Sequence, residues 1–189
     1  MIKPQSLKRP LFLMGLPGCG KSTLGRALRS IGYEFTDLDE AVELRCGMSV
    51  ADVIKRNGIN HFRRLEASEL QRLIDSDKPQ IIACGGGTPC HADNMERMNR
   101  TGLTVRLECC RERLVRRLAE AGGVRPMFAD IATDPAAIDR RVDSLSAERE
   151  PFYAQAAATF DSSRLESSEE IDSTVANFIS RFANPSHNE

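Results

Sequence analysis

The chain has 189 residues, 26 basic against 27 acidic, for a formal net charge of -1. That length holds one domain with a full core, and the near-neutral balance gives no electrostatic reason to expect nucleic acid or an anionic membrane as partner. No apolar run approaches the ~20 residues of a membrane helix, and residues 1–9 lack the apolar segment of a secretory signal. The six cysteines, Cys19, Cys46, Cys84, Cys90, Cys109 and Cys110, include no C-x-x-C pair. They are expected to be free thiols in a reducing cytoplasm. The adjacent Cys90-His91 pair has the wrong spacing to close on one zinc ion.

Taken in order, Leu11-Phe12-Leu13-Met14 reads as a buried strand. It runs into Gly15-Leu16-Pro17-Gly18-Cys19-Gly20-Lys21-Ser22, which fits G-x-x-x-x-G-K-[ST], and a helix follows through Leu28. Strand, glycine loop and helix together are the context a phosphate-binding P-loop requires. Tyr33 to Thr36 is a second strand ending at Asp37, and Leu38 to Arg45 a helix stopped by Gly47. Ser49 caps a helix over Val50 to Arg56, and a longer helix spans Asn60 to Asp75. Gln80 to Cys84 is a third strand entering Gly85-Gly86-Gly87, Asp93 to Asn99 a helix, Thr104 to Leu107 a fourth strand, and Arg111 to Ala121 a basic helix. Gly122 to Pro135 lacks a period and reads as a mobile loop. Ala136 to Glu150 is helical, ending before Pro151. Ala158 to Phe160 is a fifth strand, Glu169 to Phe182 a terminal helix capped by Ser167 or Ser168, and Asn184 to Glu189 a frayed tail.

Alternating strands and helices imply a parallel sheet covered on both faces, with ligands at the carboxyl ends of the strands. The P-loop, Asp37 and the triple glycine all lie at such ends and should converge on one cleft. Lys21 would reach the β- and γ-phosphates, and Ser22 would hold Mg²⁺. If strand alternation persists, Asp37 and Asp39 point the same way: one carboxylate for the hydrated Mg²⁺, the other for an attacking hydroxyl. Gly85 to Gly87 offer unshielded amides and room for close approach. Arg63 and Glu66, three apart on a helix, can touch; Glu66 would ready Arg63's fork for a carboxylate or phosphate. Spacing alone favours an ordinary surface ion pair. Arg125-Pro126, in the mobile loop, has the position of an arginine that closes over a transferring phosphoryl group. Arg149 ends a helix, where a cation is welcome, and local sequence does not separate it from Arg140 or Arg141. Cys19 fills a variable position of the motif, where any residue is tolerated; if its sulfur feels the inward-facing amides and Lys21, it is expected to react first with a thiol reagent.

The combination of Gly15 to Ser22, Asp37-Leu38-Asp39 with Glu43, Phe62-Arg63-Arg64-Leu65-Glu66, Gly85-Gly86-Gly87, Arg125-Pro126 and Arg149 before Pro151-Phe152-Tyr153 resembles the shikimate kinase family over roughly Pro10 to Asp161. The resemblance implies an α/β P-loop kinase fold of three α/β/α layers: a five-stranded parallel sheet ordered 2-3-1-4-5, helices on both faces and a mobile lid near residues 119–135. One domain over 1–189 is expected, its core near 10–183 between frayed tails. The implied reaction moves the γ-phosphate of ATP, as co-substrate with Mg²⁺, to the 3-hydroxyl of shikimate. By the same resemblance Lys21, Asp39 and Arg125 are catalytic, and Ser22 and Asp37 hold the metal. The nucleotide falls to Gly18, Cys19, Gly20, Lys21, Ser22, Thr23, Arg125 and Arg164. Either Arg116 or Arg117, with Arg117 preferred, stacks on adenine. Shikimate falls to Asp39, Arg63, Gly85, Gly86, Gly87 and Arg149. The expected partners are these small molecules alone, bound by a cytoplasmic monomer. Ile59 stands where the family often has Glu, and Met127 where Leu is usual. The rivals are a gluconate or nucleoside monophosphate kinase of the same fold, and a P-loop binding protein without kinase activity.

Overall fold

The computed structural model describes residues 7–76, 78–122 and 126–183. Five strands, β1 (Leu11–Met14), β2 (Phe35–Asp37), β3 (Ile81–Ala83), β4 (Leu103–Glu108) and β5 (Ala158–Asp161), form one sheet in the order β2-β3-β1-β4-β5. Every pairing is parallel. The central strand explains the layering. Leu11 and Leu13 alternate with Phe12 and Met14, and all four are at most 1 % exposed. The first pair joins a core with Leu24, Leu28, Val105 and Phe178; the second joins a separate core with Leu38, Leu70, Met98 and Tyr153. A strand apolar at every position needs cover on both faces, which parallel connections supply.

Among the described residues the cover comes from eight α-helices: α1 (Lys21–Ser30), α2 (Leu38–Cys46), α3 (Val50–Asn57), α4 (Ile59–Asp75), α5 (Asn94–Thr101), α6 (Arg111–Glu120), α7 (Pro135–Tyr153) and α8 (Ser168–Phe178). Ser49 caps α3 by accepting from the Asp52 amide, and Ser167, of the two serines considered, caps α8 by accepting from Glu170. Beyond Phe178 the helix widens into a π-helical turn, Ile179–Ala183, where Phe182 packs on Phe160 and Phe178 at 5.9 and 5.0 Å between ring centres.

Three expectations need correction. The α7 helix does not stop before Pro151 but continues to Tyr153. Proline removes one helical hydrogen bond, yet the last turn is held by Tyr153, 2 % exposed, whose hydroxyl donates to Gly86 O at 2.7 Å. Nor is the stretch after Gly122 without structure: Pro126–Phe128 forms a 3₁₀ turn, Phe128 is fully buried in the core, and Asp134 caps α7. An aromatic plugged into the core pins the far end of this segment. Finally, the strand does not continue from Asp37 to Asp39, because Asp37, the last residue of β2, is also the N-cap of α2 and Asp39 lies in its first turn. Arg125, with Gly123 and Val124, and the tail from Asn184 lie outside the described residues.

Candidate active site

The glycine loop takes its shape from backbone angles closed to other residues. Gly15, Gly18 and Gly20 have φ of 143°, 87° and 98°, a region L side chains rarely enter. Gly20 caps α1 without a side-chain acceptor, so the first amides of the helix keep their donors and the positive dipole end for an anion. Lys21 folds back over the loop, its Nζ donating to Gly15 O at 2.9 Å and Leu16 O at 3.0 Å. Those are weak holds for an ammonium, readily exchanged for phosphate oxygens.

Ser22 Oγ donates to Asp37 Oδ2 at 2.5 Å, while Asp37 Oδ1 accepts from the Asp39 amide at 3.1 Å. The hydroxyl and carboxylate form an all-oxygen pair suited to Mg²⁺, which keeps most of its waters and takes one or two carboxylates. Among the described residues no cluster of three or more His, Cys, Asp or Glu has metal-holding geometry. Asp39 is half-buried beside them. Burial first, then the charges of Glu66 and Asp37, push its carboxyl up to about 6 against the pull of Lys21 and Arg63. A carboxylate with that proton affinity is a better acceptor for a hydroxyl proton than an ordinary aspartate.

The opposite wall is built on the triple glycine after β3. Glu66 is completely buried; its Oε2 accepts from Arg63 Nη1 at 2.6 Å and its Oε1 from Thr88 Oγ1 at 2.5 Å. The pair is therefore not the surface ion pair that spacing favoured, because this face of α4 packs under the glycine turn rather than facing water. The room that three glycines leave is taken by side chains. A Cβ on Gly85 would collide with Glu66 Oε1, one on Gly87 with Arg63 Nη2, and one on Gly86 would lie 2.5 Å from Arg149 Nη1. Arg149 is 3 % exposed; among the described residues its Nη1 has no hydrogen-bond partner, and its Nη2 donates to Met127 Sδ at 3.7 Å. Buried N–H donors are almost always paired, so this guanidinium is incomplete without an anion. Burial raises the Tyr153 phenol well above its usual value, with nearby Arg149 pulling the other way. The phenol therefore stays a neutral donor that pins Gly86. Arg140 is exposed and Arg141 donates to Met127 O at 3.0 Å, so Arg149 alone of the three reaches this wall.

One cleft of about 920 Å³ joins these parts, lined by Gly18, Gly20, Lys21, Ser22 and Thr23, by Asp37 and Asp39, and by Arg63, Gly85 to Gly87 and Arg149. At its far end lies Arg117, donating to Ser163 O at 2.6 Å, with Leu165 and Glu166. Arg116 instead points outward to Glu166. Two residues expected to contact the nucleotide turn their side chains away from the cleft. Arg164 has a 70 % exposed side chain turned to Glu170, because Leu165 takes the inward position against Gly20. Cys19 is 1 % exposed in the core, its carbonyl accepting from Ser162 Oγ at 2.6 Å; the exposed thiol is Cys110. Accessibility thus opposes first reaction at Cys19. Thr88 and Glu166 enter the site without any motif to announce them, and Tyr153 and Met127, both noted in the family pattern, have no role assigned by it there.

Residues 17–180 match the family model described as "Shikimate kinase". A shikimate kinase of Bacteroides thetaiotaomicron is 39 % identical over 166 residues, 87 % of this chain and 93 % of its own. The crystal structure of shikimate kinase from that organism superposes with a TM-score of 0.83 at 34 % identity, covering 92 % of this chain and 97 % of the other. Shikimate kinase from Acinetobacter baumannii, solved in complex with shikimate, shares the fold at a TM-score of 0.74 and 24 % identity, over 96 % and 97 % of the two chains.

Proposed function

This chain belongs to the shikimate kinase family, and from that membership we propose how its residues carry out the reaction. The protein is an ATP-dependent kinase that phosphorylates shikimate, giving shikimate 3-phosphate and ADP. Our reading assigns the acceptor's carboxylate to Arg63 and Arg149, the reacting hydroxyl to Asp39, and the phosphates to the loop amides of Gly18 to Thr23 with Lys21. Phosphoryl transfer needs alignment and charge neutralisation more than covalent help. Asp39 aligns the hydroxyl and accepts its proton. Lys21 leaves the carbonyls of Gly15 and Leu16 to meet the phosphates. Ser22 and Asp37 would hold Mg²⁺, which when bound offsets phosphate charge. Arg117 would cover the base, and Arg125 would approach the phosphates from the segment after Gly122.

The observation that carries this reading is the unpartnered Nη1 of Arg149, buried beside Gly86 in the same cleft as Arg63 and Asp39. Gluconate also carries a carboxylate, so what separates this chain from a gluconate kinase is the Phe62-Arg63-x-x-Glu66 and triple-glycine set, which such a kinase would lack. A binding protein has no evident use for a desolvated Asp39. Action as a monomer in the cytoplasm on these small molecules alone is part of the reading. It draws support from six free thiols and near-neutral charge; among the described residues no helix is long and apolar enough to cross a membrane. The test is ADP release with Mg·ATP and a panel of shikimate, gluconate and nucleoside monophosphates. Shikimate should be the preferred acceptor, and faster turnover of any other would overturn the assignment.

A further inference from the structure

Met127 occupies an unusual place for a methionine. It is 38 % exposed and lines the cleft, whereas Met14, Met95 and Met98 are at most 3 % exposed and Met48 is half-buried. Among the described residues it is the one exposed methionine. Its backbone is held on the C-terminal side, its carbonyl accepting from Arg141 Nη1 at 3.0 Å and the next residue, Phe128, fully buried. Its sulfur rests 3.7 Å from Nη2 of Arg149, the guanidinium whose other terminal nitrogen has no partner among the described residues. A thioether is a weak acceptor, so this contact leaves Arg149 nearly unsatisfied and open to a carboxylate.

We propose that Met127 is an oxidation site through which a peroxide blocks the acceptor's carboxylate position at Arg149. The thioether sulfur gives an electron pair to one oxygen of hydrogen peroxide. The O–O bond breaks as the S–O bond forms, and the proton on the transferred oxygen passes to the departing hydroxide. The products are methionine sulfoxide and water, the sulfur oxidised and the peroxide reduced. The weak acceptor beside Arg149 then becomes a strongly polar one carrying an oxygen. Bonded to the guanidinium, that oxygen competes with the substrate carboxylate for the same N–H donors. The buried Phe128 and the held carbonyl keep the Met127 backbone beside Arg149, so the sulfoxide oxygen remains within reach of the guanidinium. Exposure governs the order of attack, so Met127 oxidises before the four other described methionines.

The inference rests on the carboxylate assignment of Arg149. The experiment treats the full-length enzyme with graded hydrogen peroxide, removes the peroxide and reduces thiol oxidation with dithiothreitol. Sulfoxide is then mapped by peptide mass spectrometry and kinetics are measured with shikimate and with ATP. Met127 sulfoxide should appear first among residues 14, 48, 95, 98 and 127. In step with it, the shikimate KM should rise at least roughly tenfold, the effect of one lost charge-assisted hydrogen bond, with the ATP KM unchanged. Methionine sulfoxide reductases A and B should restore the original KM. The Met127→Leu enzyme, compared with itself before and after peroxide, should show no such rise, and Met127→Gln, which carries a carbonyl oxygen in place of sulfoxide, should show it without peroxide. Late oxidation of Met127, or an unchanged shikimate KM at full Met127 sulfoxide, would overturn the inference. Failure of the untreated enzyme to use shikimate would instead overturn the assignment of function.

Discussion

Adding one methyl group at Gly86 tests whether the triple glycine exists to admit guanidinia. The Cβ of Gly86→Ala would lie 2.5 Å from Arg149 Nη1 and 3.2 Å from Pro17 Cδ, whereas real non-bonded contacts begin near about 3.5 Å. Arg149 must yield by roughly 1 Å, since Pro17 belongs to the phosphate loop and Gly86 O is held by Tyr153. A displaced guanidinium loses one charge-assisted hydrogen bond to the substrate carboxylate, worth about 1.5–3 kcal/mol. The shikimate KM should therefore rise roughly 10- to 150-fold, with the ATP KM within about threefold of wild type. Stability separates this from general damage. Overpacking costs about 1–3 kcal/mol, while glycine to alanine returns about 0.4–1 kcal/mol through the unfolded chain. The Tm should thus fall by only a few degrees. Steady-state kinetics with each substrate varied, alongside calorimetry, reads both. A shikimate KM unchanged in a well-folded variant would refute the reasoning.

Arg63→Lys keeps the charge but loses the planar fork that also meets Glu66, so the shikimate KM should rise at least about tenfold with ATP binding barely changed; an unchanged KM would remove Arg63 from the carboxylate site. Asp39→Asn should cut kcat severely at near-normal Mg·ATP affinity, while Asp37→Asn should shift the Mg²⁺ dependence. If both variants lost only Mg²⁺ affinity, the division between the two aspartates would be wrong. Away from the site, Arg72 first and also Arg45 hold the buried Glu69 carboxyl below its usual 4.5. A lowered carboxyl stabilises the fold above the unfolded value and loses that contribution as pH falls through the folded one. Glu69→Gln should therefore lower the Tm at pH 7, with the gap to wild type narrowing as pH falls below 4.5; a gap that stays constant would contradict the linkage.

The sheet was legible because β1 is apolar at every position and the glycine loop follows it at once. Both signals are local, and the order of strands came with the family resemblance rather than with periodicity. The parts of the site that hide from sequence are those made by distant pairs. Glu66 and Thr88 are 22 residues apart, Tyr153 and Gly86 67 apart, and helical spacing says nothing about which face a turn will cover. That is why the buried Arg63–Glu66 pair looked like surface decoration. Pro151 misled in the opposite direction: the usual cost of proline in a helix was outweighed by Tyr153's packing and its bond to the glycine turn. Arg149 was indistinguishable from Arg140 and Arg141 by charge and helix position alone. Its burial and its empty donor, both tertiary facts, single it out. Leu165 rather than Arg164 faces the cleft because the gap at Gly20 is apolar and tight, a contact across sequence that no loop pattern announces.

The central claim is that Arg63 and Arg149 read a carboxylate on the acceptor, and comparison of shikimate with its methyl ester tests it most directly. The ester keeps the ring and hydroxyls and loses only the charge. With wild-type enzyme, kcat/KM for the ester should fall at least about a hundredfold, since two charge-assisted bonds at about 1.5 kcal/mol or more each are lost. With Arg149→Met, acid and ester should come within roughly tenfold of each other, because only Arg63 still distinguishes them. Equal turnover of acid and ester by wild type, or full discrimination surviving in Arg149→Met, would contradict the account.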